Sequence, residues 1–188
     1  MEVFSQKGYA AATVPEIARL AGVATGTIYI YYPSKRELFI AVIMNLIITV
    51  PLLDLIENMP GAEFPLIFKR VLQNRLSFTE GDNMSRISAL MGEIQRDPEL
   101  KALFTEKLIH PFLSRMEGFY RDKTVAGGFR QLNPTVIVRA IGGMILGFIM
   151  LKSLEGDTSP LNRLPQDEVA DALMNFVLYG LLNEKREA

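Results

Sequence analysis

The run Thr25-Gly-Thr-Ile-Tyr-Ile-Tyr31, followed at once by Lys35 and Arg36, is the densest set of groups in this sequence able to do chemistry. Hydroxyls, phenols and cations gathered in so short a stretch suit hydrogen bonding to phosphate oxygens and base edges better than they suit packing. Read as a short helix, Thr25 to Tyr32 buries Ile28 and Tyr32 and turns Thr25, Gly26, Thr27, Tyr29 and Tyr31 outward. Thr25, Thr27 and Tyr31 are then candidates for base edges, and Gly26 lets the backbone approach a groove. Thr13, Tyr29 and Lys35 are candidates for phosphate. Ala24 offers no capping side chain, so Thr25 has to cap and read at once.

The elements that would position these groups are legible on both sides. Thr13 with Glu16 has capping-box spacing, and Pro15 sits in the first turn, where a missing N–H costs nothing. Ile17, Ala18 and Ala21 supply an apolar face; Gly22 serves the reversal and Val23 anchors the turn inside. Pro33 ends the second helix, and Ser34 with Glu37 launches a third that runs to about Val50, where Pro51 kinks or ends it. This is the layout of a helix-turn-helix, whose second helix enters the DNA major groove. An ordinary helical hairpin has the same spacing; the outward hydroxyls and phenols distinguish the two.

Gly8-Tyr9, Thr13-Val14, Ile17-Ala18, Ala21-Gly22-Val23, Gly26-Thr27-Ile28-Tyr29 and Ser34-Lys35 together resemble the TetR family of bacterial transcriptional regulators, densely over residues 3–42. The resemblance implies an all-α chain: a three-helix head at residues 1–50, then a larger helical domain at 51–188 that binds an effector and dimerises. It implies a cytoplasmic regulator, commonly a repressor, that binds a palindromic operator as a homodimer and responds to a hydrophobic small molecule. The helix starting at Ser34 would transmit that response. The family's first helix is normally longer than MEVFSQK, which reads as two turns ending at Gly8 with Val3 and Phe4 facing the head.

Composition narrows the alternatives. Hydrophobic residues make up 49% of the 188, enough for an ample core and a surplus that could be buried between subunits. The net charge is −1, and residues 1–50 set Lys7, Arg19, Lys35 and Arg36 against Glu2, Glu16 and Glu37. A nucleic-acid binder usually carries a more basic footprint, so non-specific DNA affinity should be weak. Cysteine is absent, which excludes disulfides and thiolate metal sites and fits a reducing compartment. The N-terminal segment lacks the charged and apolar regions of a signal peptide. Residues 38–56 are apolar but interrupted by Asn45, Pro51 and Asp54, and residues 140–151 fall short of the roughly 20 needed to cross a bilayer. Both are read as buried helices.

Helical stripes follow at 63–79, 84–96 and, from an Asp97-Pro98 cap, on through Phe119 with a possible bend at Pro111. Residues 122–132 and 156–166 read as loops; Asn133-Pro134 starts an almost wholly apolar helix, and 167–184 form the last. Phe64, Phe68, Phe78, Met91, Phe104, Phe112, Met116, Met144 and Phe148 are candidates to line an effector cavity, with Arg75, Gln95 and Tyr120 as polar anchors, although Met and Phe at helical spacing also serve as plain core. Gly143-xxx-Gly147 permits close helix approach, and Ile137, Phe176 and Gly180 complete a candidate two-fold interface. Glu106 and His110 lack a third metal ligand, and no catalytic constellation or cofactor motif can be assembled. Two classes stand beside the regulator at this point: a helical ligand-binding or interaction protein with an impaired head, and an all-α enzyme.

Overall fold

The computed structural model describes residues 2–47, 64–77 and 83–182, and these are helical apart from short connections. The helices are α1 (Glu2–Ala11), α2 (Val14–Ala21), α3 (Thr25–Tyr31), α4 (Lys35–Ile47), α5 (Phe64–Ser77), α6 (Asn83–Arg96), α7 (Pro98–Phe104), α8 (His110–Val125), α9 (Pro134–Glu155) and α10 (Gln166–Leu181). The all-α expectation holds; the described residues show only one isolated bridge, between Phe129 and Leu182. Phe78, Pro51 and the Asn58–Gly61 turn lie outside the described residues.

The chain divides into two compact units that do not follow sequence order: Met1–Thr49 with Asp82–His110, and Val50–Gly81 with Pro111–Ala188. In the first, α1 packs on α6, α2 on α3, and α4 on α6 and α7. Its interior is Phe4, Phe39, Ile40, Ile43, Leu90 and Leu100, all essentially inaccessible. Phe4 meets Phe39 edge-on at 5.0 Å and Tyr9 lies 4.9 Å from the same ring, so three aromatics clamp α1 against α4. Gly8 bends α1 with φ 75° and ψ 172°. A Cβ there would also stand 3.1 Å from Glu93 Oε1. Gly8→Ala should therefore lower stability by about 1–3 kcal/mol, read from urea midpoints; an unchanged midpoint would mean the bend relaxes freely.

In the second unit α5 packs on α10 and α9. Two apolar clusters fill it, one around Leu72, Leu76, Val169 and Ala170, the other around Tyr120, Phe129, Val177 and Leu181, with Phe68 packed against both. Asn133 caps α9 through its side chain, which accepts from the N–H groups of Thr135 and Val136, and Asp97 does the same for α7 from Glu99 and Leu100.

Several expectations need correction. The bend foreseen at Pro111 is a π-helical turn, Thr105–Ile109, just before it. Proline cannot donate to the carbonyl four residues back and its ring crowds it; the widened turn, with His110 N–H reaching Thr105, accommodates both. Helix α8 runs on to Val125, and two 3₁₀ turns, Gly156–Thr158 and Pro160–Arg163, occupy the expected second loop. Most consequential is α9. Rather than a buried helix it has one buried residue, Ile149, and exposes Val136, Leu146, Met150, Leu151 and Leu154. By length and composition it could cross a membrane: the stretch Pro134–Thr158 is 25 residues long, well beyond the 140–151 segment judged too short.

Candidate nucleic-acid interface

The helix-turn-helix is built by caps and one glycine. Thr13, extended at φ −122° and ψ 146°, accepts from Glu16 N–H at 3.4 Å through Oγ1. Gly22 takes the left-handed conformation, φ 70° and ψ 26°, and Val23 N–H returns to the Ala18 carbonyl at 3.0 Å, closing α2 in a Schellman-type turn. Ile17 and Ala18 are buried as expected, but Ala21 is exposed and Val23 is 43% exposed. The hydrogen bond to Ala18, not burial of Val23, holds the reversal.

Helix α3 begins at Thr25 with Ala24 as its N-cap residue and no side-chain cap, so Thr25 is half-buried in the first turn and does not cap. Ile28 alone is buried. Gly26, Thr27, Tyr29 and Tyr31 are exposed, as anticipated, and Tyr32 is half-buried. Tyr32 is extended, φ −131° and ψ 97°, the conformation that a following proline favours. Ser34 Oγ accepts from Glu37 N–H at 3.1 Å and starts α4. Ile30, which is not among the candidates read from the sequence, is among the most exposed side chains of the head. Its place two residues after the buried Ile28 was the signal available.

The cations are largely engaged. Lys35 Nζ donates to the Ala10 carbonyl at 3.0 Å and lies 4.6 Å from the Tyr9 ring centre. Burial pushes the Lys35 ammonium below its usual pKa and the Tyr9 phenol above its own. Arg36 pairs with Glu99 at 2.6 Å and Lys7 with Glu16 at 2.5 Å. Arg19, exposed on the last turn of α2, makes no ion pair among the described residues. The surface around α3 is therefore one of hydroxyls, phenols and backbone rather than of charge.

The effector candidates are divided between the two units. Met91 and Phe104 belong to the first compact unit; Phe68, Phe112, Met116, Met144 and Phe148 belong to the second. Phe64 and Arg75 have their backbone in α5, and their side chains lie outside the described residues with Phe78. Within the second unit Phe148 and Leu76 border a hollow of only about 10 Å³, far below the roughly 300–1,000 Å³ of ligand pockets. Tyr120 is committed: its hydroxyl donates to the Arg130 carbonyl at 2.6 Å. Of the interface candidates, Ile137 is partly buried against its own chain's Tyr120–Phe129 cluster. Gly143, Gly147 and Gly180 face open space, and Phe176 is 72% exposed.

Residues 1–42 match the family described as bacterial regulatory proteins, tetR family. The fatty acid metabolism regulator protein of Bacillus subtilis is 27% identical over 152 residues, 79% of this chain and 75% of that protein. The transcriptional repressor KstR of Mycolicibacterium smegmatis is 25% identical over 127 residues, 68% of this chain and half of that repressor's length. Among solved structures, FadR of Bacillus subtilis in complex with stearoyl-CoA superimposes with a TM-score of 0.66 at 21% identity, covering 95% of this chain and 94% of that one. Fold, head and relatives define a ligand-responsive, DNA-binding transcriptional regulator. The likeness to the tetR family is carried by the head, residues 1–42. The reading as a helical binding protein with an impaired head is not favoured, and the relatives matched are regulators rather than enzymes.

Proposed function

We propose that this regulator is a cytoplasmic repressor that binds a palindromic operator as a homodimer and leaves it when a hydrophobic small molecule occupies the helical domain. Residues 1–50 make the DNA contact; residues 51–188 hold the effector and the dimer interface. The observation that carries the reading is α3, seven residues long, which buries Ile28 alone and presents Gly26, Thr27, Tyr29 and Tyr31 to solvent. Thr27 and Tyr31 read base edges. Tyr29 and the Thr13 hydroxyl, whose proton is free of the capping bond, position the helix on phosphates, and Lys35 joins them by leaving the Ala10 carbonyl.

The dimer is supported by α9 and α10. Gly143, Leu146, Gly147, Met150 and Leu154 recur at three- and four-residue spacing along one exposed face of α9, while Phe176, Tyr179 and Gly180 are exposed on α10. Two such helices pairing with their copies form a four-helix bundle about a two-fold axis. Phe68, Met144 and Phe148, packed on the second unit's core, are the effector contacts to test first, and the stearoyl-CoA bound by FadR makes a long-chain acyl group the first effector to try.

The test is an anisotropy titration against the DNA upstream of the chain's own gene. Two phosphate-neutralising cations per protomer, Arg19 and Lys35, imply a log K against log salt slope of about −4, or about a hundredfold loss between about 50 and 200 mM salt. Palindrome-selective binding with that slope supports the reading. Binding that ignores sequence, or none with any duplex at about 50 mM salt, overturns it.

A further inference from the structure

Ile30 is 78% exposed, and neither the packing of the head nor hydrogen bonding to DNA accounts for it. On a 3.6-residue turn it falls four residues after Gly26, so these two share the side of α3 that faces away from buried Ile28. Thr27, Tyr29 and Tyr31 flank that side. A Cβ at Gly26 would meet nothing within 4 Å, so the helix surface is open there. Ile30 is therefore the side chain that projects furthest from the outward pole. β-Branching lowers helix propensity slightly, and no burial within the chain compensates for it here.

An aliphatic group set at the centre of a DNA-reading helix has few matches in the major groove. Base edges there present donors and acceptors, with one apolar exception, the C5-methyl group of thymine. We propose that Ile30 reads a thymine methyl in each operator half-site, Gly26 letting the helix come close enough for contact. The inference rests on α3 being the recognition helix. Discrimination arises on both sides: the methyl gains an apolar neighbour, whereas cytosine has only hydrogen at C5 and sets its N4 amino group beside the isoleucine, where it would lose water without gaining an acceptor.

The test begins with selection of a consensus site from a random duplex library by the full chain. Each thymine of that site is then replaced by uracil, which removes the methyl and keeps every hydrogen-bonding group. One thymine per half-site should weaken binding about fourfold when changed, the effect of one buried carbon. Ile30→Ala should bind the thymine and uracil sites equally, with an unchanged melting temperature because the side chain is exposed. A consensus whose thymines all tolerate uracil overturns the Ile30 assignment and leaves the regulator intact. Uracil sensitivity that persists in Ile30→Ala also overturns it, since another residue must then read the methyl. A library that yields no consensus overturns the recognition-helix reading as well.

Discussion

Changing Leu146 and Met150 together to glutamate should leave the chain monomeric and lower its affinity for a palindromic site by about 10²–10⁴-fold, the advantage that joining two binding modules confers. Leu146 is 69% exposed in the single chain and Met150 is also exposed, on the face of α9 that carries Gly143 and Gly147. Each large apolar side chain covered by a partner contributes about 1.5–3 kcal/mol. At an isologous interface every substitution acts twice, and a glutamate near the axis meets its own copy, so like charges are buried face to face. Sedimentation velocity reads the assembly state and anisotropy the affinity. A double variant that still sediments as a dimer would remove α9 from the interface. If the unaltered chain is monomeric and partitions into lipid vesicles, the other property of this helix, its capacity to span a membrane, explains the exposed face instead.

Phe39→Ala should destabilise the first unit by about 3–5 kcal/mol and abolish DNA binding with it. The ring is fully buried and touches Phe4 and Tyr9, so its loss opens a cavity between α1 and α4. Tyr9 is also the platform beneath the Lys35 ammonium, so loosening α1 frees a cation that the folded head holds in place. Urea unfolding followed by circular dichroism measures the loss, since a buried aromatic removed from a small unit consumes much of its stability. A midpoint within about 1 kcal/mol of the original would mean that α1 contributes little to the head.

Local signals were readable in the sequence because local chemistry causes them. Thr13, Ser34, Asp97 and Asn133 cap the helices they precede, and Gly22 turns where a left-handed residue is needed. Non-local burial was not readable. Residues 83–104 look like part of the distal domain, yet they pack with the head, because α1 and α4 each need a surface that α2 and α3 are too short to supply. The apolar pattern of α9 records all the burial a helix undergoes, including burial by another molecule, so it cannot say which residues its own chain covers. Val23 went the other way: an apolar residue type suggested burial, whereas the turn is held by its backbone hydrogen bond to Ala18 and the side chain is exposed. The effector candidates are Met and Phe at helical spacing, a pattern that does not distinguish Met91 and Phe104 in one unit from Phe148 in the other.

The first turn of α4 is held by two ion pairs, Arg36 with Glu99 and Glu37 with Lys107, each at 2.6 Å. Exposed pairs of this kind add little strength, about 0.2–1 kcal/mol each. Their polarity is what matters: α4 offers a cation to one partner and a carboxylate to the other, from adjacent residues. Rotating α4 to exchange the partners would set Arg36 against Lys107 and Glu37 against Glu99. The two contacts act as a keyed coupling that accepts one azimuth of the helix. Because Pro33 and Ser34 join α4 directly to α3, the azimuth so fixed is also the angle at which the recognition face is presented.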